Sequence, residues 1–276
     1  MRIGFLITAR LKSSRLKRKI LLDLNGSTVL DHVIKRAKKV KNIDGVVLCT
    51  STNSQDLELK DYAVNNNIYF FKGSEDDVLK RLYDAAKYFG FDGFLSITAD
   101  NPLHSFTYPN KIIDLVKKNN FDFIFSEGLP LGIVPYYLKT NALEIALEMK
   151  IDSDTEIWGP FVKRSDFFNI CDIIINNKYL NSSFRLTCDY NDDYKLLKKL
   201  LQHFEKDYLP SFFDIEKLFI ENPEMKNINI NSKQTKVSQK TLLKINAHFN
   251  KSIKRGKILI RKNQYKIIPG YCSINM

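Results

Sequence analysis

The chain has 276 residues, enough for one large α/β domain or a domain with an appendage at about 150 residues per domain. A hydrophobic fraction of 44% and a charged fraction of 27% are those of a globular protein and exclude a disordered chain. The net charge of +12 and pI near 9.3 fit nucleic acid, an anionic surface or a phosphorylated substrate equally well, so charge alone selects no function.

The first predicted strand covers Ile3 to Ile7 and empties into Thr8 to Lys19, a loop crowded with Arg10, Lys12, Ser13, Ser14, Arg15, Lys17, Arg18 and Lys19. Open α/β sheets bind ligands at the carboxyl ends of their strands, and this loop stands at one. Mutual repulsion disfavours a compact loop unless counter-charge arrives, so the loop is expected to hold a polyanion such as a nucleoside triphosphate. Asn25-Gly26 reads as a tight turn, and from Thr28 the apolar residues fall at helical spacing. A second strand, Gly45 to Cys49, ends in the hydroxyl-rich Thr50, Ser51, Thr52, Asn53 and Ser54. A helix over Leu57–Val64, a short strand over Ile68–Phe71, and Gly73 with Ser74 as N-cap of the next helix follow. The strand Phe94–Thr98 runs into Ala99 and Asp100, and Pro102 stops it. Helix and strand alternate again at Ile112–Val116 and Phe121–Phe125. After them come a stiff loop, Leu129–Pro135, a helix, Ala142–Met149, and a polar segment from Asp152 through Trp158 to Pro160. A late strand, Phe184–Cys188, delivers Asp189 and a helix through Leu196–Leu201.

Repeated β then α units predict a doubly wound, mostly parallel sheet with one active edge. Residues 1–225 are assigned to this domain, 226–240 to a polar linker and 241–276 to a small C-terminal extension. Asp100 and Asp189 both follow strands, and two carboxylates converging at a sheet edge suit a hard divalent cation, Mg²⁺, with phosphate oxygens completing its shell. Taken singly, either aspartate is a common helix cap or turn residue; together with the basic loop they point to metal-assisted phosphoryl chemistry. Cys49, Cys171, Cys188 and Cys272 are too scattered for a zinc site or a disulfide framework. The chain has no signal-peptide core or membrane-length apolar stretch, so a cytoplasmic protein without a membrane partner is expected. No GxGxxG follows the first strand, which argues against a dinucleotide-binding dehydrogenase.

The ordered segments ITARLKSSRLKRKIL (7–21), CTSTN (49–53), FKGSEDDVLKRLYDAAK (71–87), ITADNPL (97–103) and RLTCDYNDDYKLL (185–197) together resemble the cytidylyltransferase family. That family includes spore-coat polysaccharide enzymes, 3-deoxy-manno-octulosonate cytidylyltransferases and CMP-sialic acid synthetases. The resemblance spans roughly residues 1 to 205 and implies a nucleotidyltransferase fold of Rossmann type. The implied reaction transfers CMP from CTP to an activated or acidic sugar, with pyrophosphate released. It places Arg10, Arg15 and Lys19 on the triphosphate, with Ala9, Ser13 and Ser14 beside it, and Thr50, Ser51, Asn53, Gly73 and Ser74 near base and ribose. Asp100 and Asp189 match the Mg²⁺ carboxylates, Arg10 and Lys19 join them as catalytic residues, and Arg81 and Arg185 are secondary anion contacts. The expected partners are CTP, a sugar acceptor and a second copy of the chain, without nucleic acid.

The chain departs from the family pattern in three places. Lys17 and Arg18 replace a usual Pro-Gly, Ala99 replaces a Gly, and Glu156, Ile157, Trp158 and Gly159 replace a Glu-His-Val-Thr segment, which implies a different sugar pocket. Asn250 to Met276 is similar to part of the antifreeze-like domain of sialic acid synthases; a plain β-rich extension packing on the main domain is the other reading. The competing functions are a nucleotide-sugar-dependent glycosyltransferase of similar architecture and a non-catalytic protein that binds nucleic acid through its basic surface.

Overall fold

The computed structural model describes residues 1–150, 158–175, 177, 179–234 and 237–275. In chain order its elements are β1 (Ile3–Thr8), β2 (Asp23–Leu24), β3 (Ser27–Thr28), α1 (Val29–Ala37), β4 (Gly45–Ser51), α2 (Leu59–Asn65) and β5 (Tyr69–Gly73). Then follow α3 (Val78–Tyr88), β6 (Gly93–Thr98), α4 (Tyr108–Lys118), β7 (Phe123–Glu127), β8 (Tyr136–Lys139), α5 (Thr140–Met149) and α6 (Gly159–Val162). The last are β9 (Asn169–Ile174), α7 (Asn191–Leu201), α8 (Phe212–Glu221), α9 (Gln239–Lys262) and β10 (Gly270–Asn275).

β2 and β3 form a small hairpin around Asn25-Gly26, and the other eight strands make one sheet in the order β5-β4-β1-β6-β8-β7-β9-β10. β8 is antiparallel to both β6 and β7, and every other pairing is parallel. Seven strands therefore point their carboxyl ends to one edge. The middle of the sheet is buried on both faces, so β1, β4 and β6 are nearly continuous apolar runs. In β1 the odd residues Ile3, Phe5 and Ile7 pack with α1, α2, α4, α7 and α8, while Leu6 packs with α3, α5 and α9 on the other face.

The chain winds outward from β1 to β4 and β5, then returns to place β6 on the opposite side of β1. This reversal is the switch point, where the loops after β1 and β6 diverge and leave a crevice. Register sets the depth of that crevice, because Thr8 lies level with Cys49 and with Thr98.

Four sequence expectations change. Phe184–Cys188 is not a strand: it crosses the sheet edge as an extended segment, bonded to Leu131 on one side and to the Asp100 carbonyl through the Cys188 N–H. Ser74 is not the N-cap of α3. Asp77 takes that place by accepting from Lys80 N–H, while Ser74 Oγ accepts from Asp77 N–H. β8 and β9 arise where no strand is expected, since four and six residues carry little periodicity. Finally, residues 241–276 are mainly the 24-residue α9, whose Ile245 and Phe249 pack beneath the sheet, and β10, which extends that sheet beside β9.

Candidate active site

The mouth of the crevice is sewn together by short polar bonds. Ala9 N–H donates to the Cys49 carbonyl at 3.0 Å, Thr50 Oγ donates to the Ala9 carbonyl at 2.9 Å, and Leu11 N–H donates to Asp56 Oδ1 at 2.7 Å. The buried Asp56 also accepts from Ser51 Oγ at 2.5 Å. Thr50 and Ser51 thus spend their hydroxyls on holding the basic loop, and their side chains are buried. Asn53 caps the following turn and reaches Glu75 at 3.3 Å. Gly73 sits against Arg81, which is buried and donates to the Ser74 carbonyl at 3.0 Å. Burial first, and the charge of Arg10 to a smaller extent, lower the Arg81 pKa.

At the centre stands Lys19. Its ammonium is bonded to Asp100 Oδ2 and, at 2.6 Å, to Asp189 Oδ1, which places two aspartates 89 positions apart in sequence on one nitrogen. All three side chains are at most 18% exposed. Arg15 reaches Asp189 at 3.0 Å and lies over the Tyr190 ring, while Arg185 holds the other Asp189 oxygen at 2.5 Å. Behind them the fully buried Asp193 accepts from Arg185 Nε and from the backbone N–H groups of Asp189 and Tyr190, and Asn229 donates to it at 2.9 Å. Arg185 is therefore a positioning residue, and its orientation comes from Asp193. Asp100 is oriented by Thr98 Oγ at 2.5 Å and by Asn101. Gly132, at φ +96°, lets the neighbouring loop approach so closely that a Cβ there would meet Asn101 Oδ1 at 2.4 Å.

Electrostatics follow from this packing. Burial works against the Lys19 ammonium, but Asp100 and then Asp189 outweigh it and raise its pKa. Burial likewise opposes the Asp189 carboxylate, yet Lys19, Arg15 and Arg185 together hold its pKa below the ordinary 3.8. A hydrogen bond to Tyr190, and then the charge of Asp189, raise the Arg15 pKa against its partial burial.

The loop does not wait for a ligand to neutralise it. Lys12 pairs with Glu75 at 3.5 Å, Arg18 with Glu58 at 2.6 Å, and Arg15 and Lys19 with the aspartates. Arg18 is thereby tied to the turn Ser54–Glu58 that precedes α2. The structure brings Lys19, Arg15, Asp100 and Asp189 together, with Arg185 joining them. Gly73, Ser74 and Asn53 lie around the end of β5, Arg10 is half-buried just past the end of β1, and Ser14 is exposed beside Arg15. Sequence reasoning passes over Asp193, Asn229, Tyr190 and Thr98; only the cluster DYNDD hints at the first, without saying which aspartate is buried. Glu156 and Ile157 lie outside the described residues, and Trp158 packs edge-on against Tyr136 and Phe123.

Two carboxylates that close on one ammonium at the switch point of a parallel sheet, beside a basic loop, define a nucleotidyltransferase. The family profile described as cytidylyltransferase matches residues 5–242, and the chain belongs to that family. An uncharacterised protein of Methanocaldococcus jannaschii is 32% identical over 239 residues, covering 85% of this chain and 97% of that one. The Bacillus subtilis spore coat polysaccharide biosynthesis protein SpsF is 27% identical over 216 residues, with 72% and 86% covered. A solved cytidylyltransferase of Leptospira borgpetersenii superposes with a TM-score of 0.75 at 26% identity, over 86% of this chain and 100% of that one. A CMP:2-keto-3-deoxy-manno-octonic acid synthetase, solved with CTP, shares the fold at a TM-score of 0.59 and 12% identity, over 74% of this chain and 99% of that one.

Proposed function

We propose that this enzyme transfers CMP from CTP to a hydroxyl or phosphate oxygen of an acidic or phosphorylated sugar that is destined for a surface polysaccharide. The acceptor oxygen attacks the α-phosphorus in line, the bond to the β-phosphate oxygen breaks, and pyrophosphate departs. The observation that carries the reading is the single contact point of Asp100, Asp189 and Lys19. Such catalysis needs positioning and charge neutralisation rather than a side-chain nucleophile.

Arg15 and Lys19 would exchange their carboxylate partners for phosphate oxygens, and Arg10 adds a further cation from the same loop. Asp100 and Asp189 already share one cation, so their oxygens fit a magnesium ion bound together with phosphate. That ion would supply charge at the α-phosphate and acidify an attacking hydroxyl. The relationship to SpsF and the shared fold with a CTP-bound keto-acid sugar synthetase support the nucleotide and the sugar class.

The test is pyrophosphate release from CTP and Mg²⁺ with a panel of keto-acid sugars and sugar phosphates. Turnover should appear with at least one acceptor and fall by roughly 100-fold or more in Asp100→Asn and Asp189→Asn. Undiminished release by both variants would remove the carboxylates from the chemistry. Consumption of a preformed nucleotide sugar without pyrophosphate would instead identify a glycosyltransferase.

A further inference from the structure

The net charge is not spread over the molecule. Residues 225–276 hold twelve Lys or Arg and no Asp or Glu, which leaves 31 of each sign in residues 1–224, a neutral enzyme body. The whole excess of +12 belongs to the C-terminal segment, and most of it lies on α9. At about 1.5 Å per residue this 24-residue helix is about 36 Å long. Its inner face is fixed, because Ile245, Phe249 and Gly256 are buried against the body. The outer face therefore points to solvent along its full length. Lys240, Lys251, Lys254 and Lys262 lie within one narrow stripe of it, with Leu243 and Ile258, each 63% exposed, on the same side.

We propose that this face of α9 is a docking surface for an anionic phospholipid bilayer, held by charge and by shallow insertion of the two apolar side chains. The inference is independent of the substrate reading above. It revises the expectation of a chain without a membrane partner: among the described residues no helix is long and apolar enough to cross a bilayer, and none is needed for peripheral contact. Charge complementarity selects an anionic partner, since this segment has no acidic residue to repel one. The straight, one-sided layout suits a plane. Leu243 and Ile258 gain from an interfacial environment, whereas a nucleic-acid surface would favour aromatic side chains on the stripe for base stacking, and the stripe has none.

The probe is co-sedimentation of the full chain with large vesicles, either of phosphatidylcholine alone or of equal parts phosphatidylcholine and phosphatidylglycerol. Binding should be confined to the anionic vesicles and should be lost between about 0.1 M and about 1 M salt, as the screening length shrinks from about 10 Å to about 3 Å. The combined variant Lys240→Gln, Lys251→Gln, Lys254→Gln and Lys262→Gln should bind on the order of 100-fold more weakly, with CTP turnover and circular dichroism unchanged. A second variant, Leu243→Ser with Ile258→Ser, should weaken vesicle binding while keeping its salt dependence. No binding to anionic vesicles, equal binding by the four-site variant, or tighter binding of single-stranded RNA or duplex DNA at the same salt would overturn the proposal.

Discussion

Lys19 neutralises two carboxylates in this structure, and in the reaction proposed above it would turn to phosphate instead. Among the described residues it is the only cation bonded to both Asp100 and Asp189, and without it two carboxylates would face each other at short range. Replacing Lys19 by Met should therefore raise the Asp189 pKa as well as weaken CTP binding. The sign of the stability effect follows from linkage. The depressed Asp189 pKa contributes stability that is complete above the ordinary 3.8 and is lost as pH falls through the lower folded value. The raised Lys19 pKa contributes below 10.5 and is lost as pH rises through the higher folded value. Melting curves of Lys19→Met should thus show acid unfolding beginning at higher pH than in the parent protein, and an unchanged acid limb would mean that Arg15 and Arg185 alone hold Asp189. A second residue-scale effect involves His104, which is fully buried between the Val33 and Ser105 carbonyls. Burial pulls its pKa down to about 4, so the folded state binds fewer protons than the unfolded chain, and stability should fall as pH drops from 6.5 toward 4, by roughly 3 kcal/mol in all. Replacing His104 by Gln, which cannot take up a proton in this range, should flatten that part of the curve.

The loop between β1 and the hairpin shows how much an element depends on positions that sequence patterns do not flag. Arg18 adopts φ +50°, a conformation that costs an L-residue about 1 kcal/mol, and its exposed pair with Glu58 returns less than that. Arg18→Gly should therefore raise the melting temperature without loss of turnover; a lower value would show that the Glu58 pair is worth more than the strain. On the opposite wall, Gly132→Ala should displace Asn101 and loosen Asp100, lowering turnover more than stability, as measured by kcat beside chemical denaturation. The loops after β1 and β6 were legible because short apolar strands ending in polar residues announce both the strand and its exit. Phe184–Cys188 was misread for the same reason. Its apolar residues bury against the sheet edge, but its backbone pairs with Leu131 only as an isolated bridge, and pattern does not reveal a missing neighbour. Asp193 was invisible because burial, not spacing, separates it from Asp192.

At the scale of the whole molecule, the C-terminal segment is a structural part of the sheet and not a free appendage, and this can be tested through a contact remote from the active site. Gly256 is where α9 comes closest to the body: a Cβ there would meet Met149 Sδ at 2.3 Å and the Phe167 ring at 2.7 Å. Gly256→Leu cannot be accommodated by one flexible atom, since Phe167 and Phe168 also pack edge-on around Phe249 from the same helix. Overpacking of this kind costs about 1–3 kcal/mol. Because α9 leads directly into β10, lifting the helix should also pull β10 from its register on β9, where Cys272 stands opposite Cys171 and their thiols touch. Burial first, and then the neighbouring thiol, raises the Cys171 pKa, so that sulfur is protonated at neutral pH and reacts slowly until pH rises. Diamide at mildly alkaline pH should take one hydrogen from each thiol and couple them within one chain, as detected by loss of alkylation at both sites in mass spectrometry. Gly256→Leu should lower that yield while the Lys19, Asp100 and Asp189 cluster, built from the opposite half of the sheet and from α7, keeps its CTP affinity. If the yield were unchanged, β10 would hold its place on the sheet without α9. If CTP affinity fell with it, the two halves of the sheet would be mechanically coupled rather than independent.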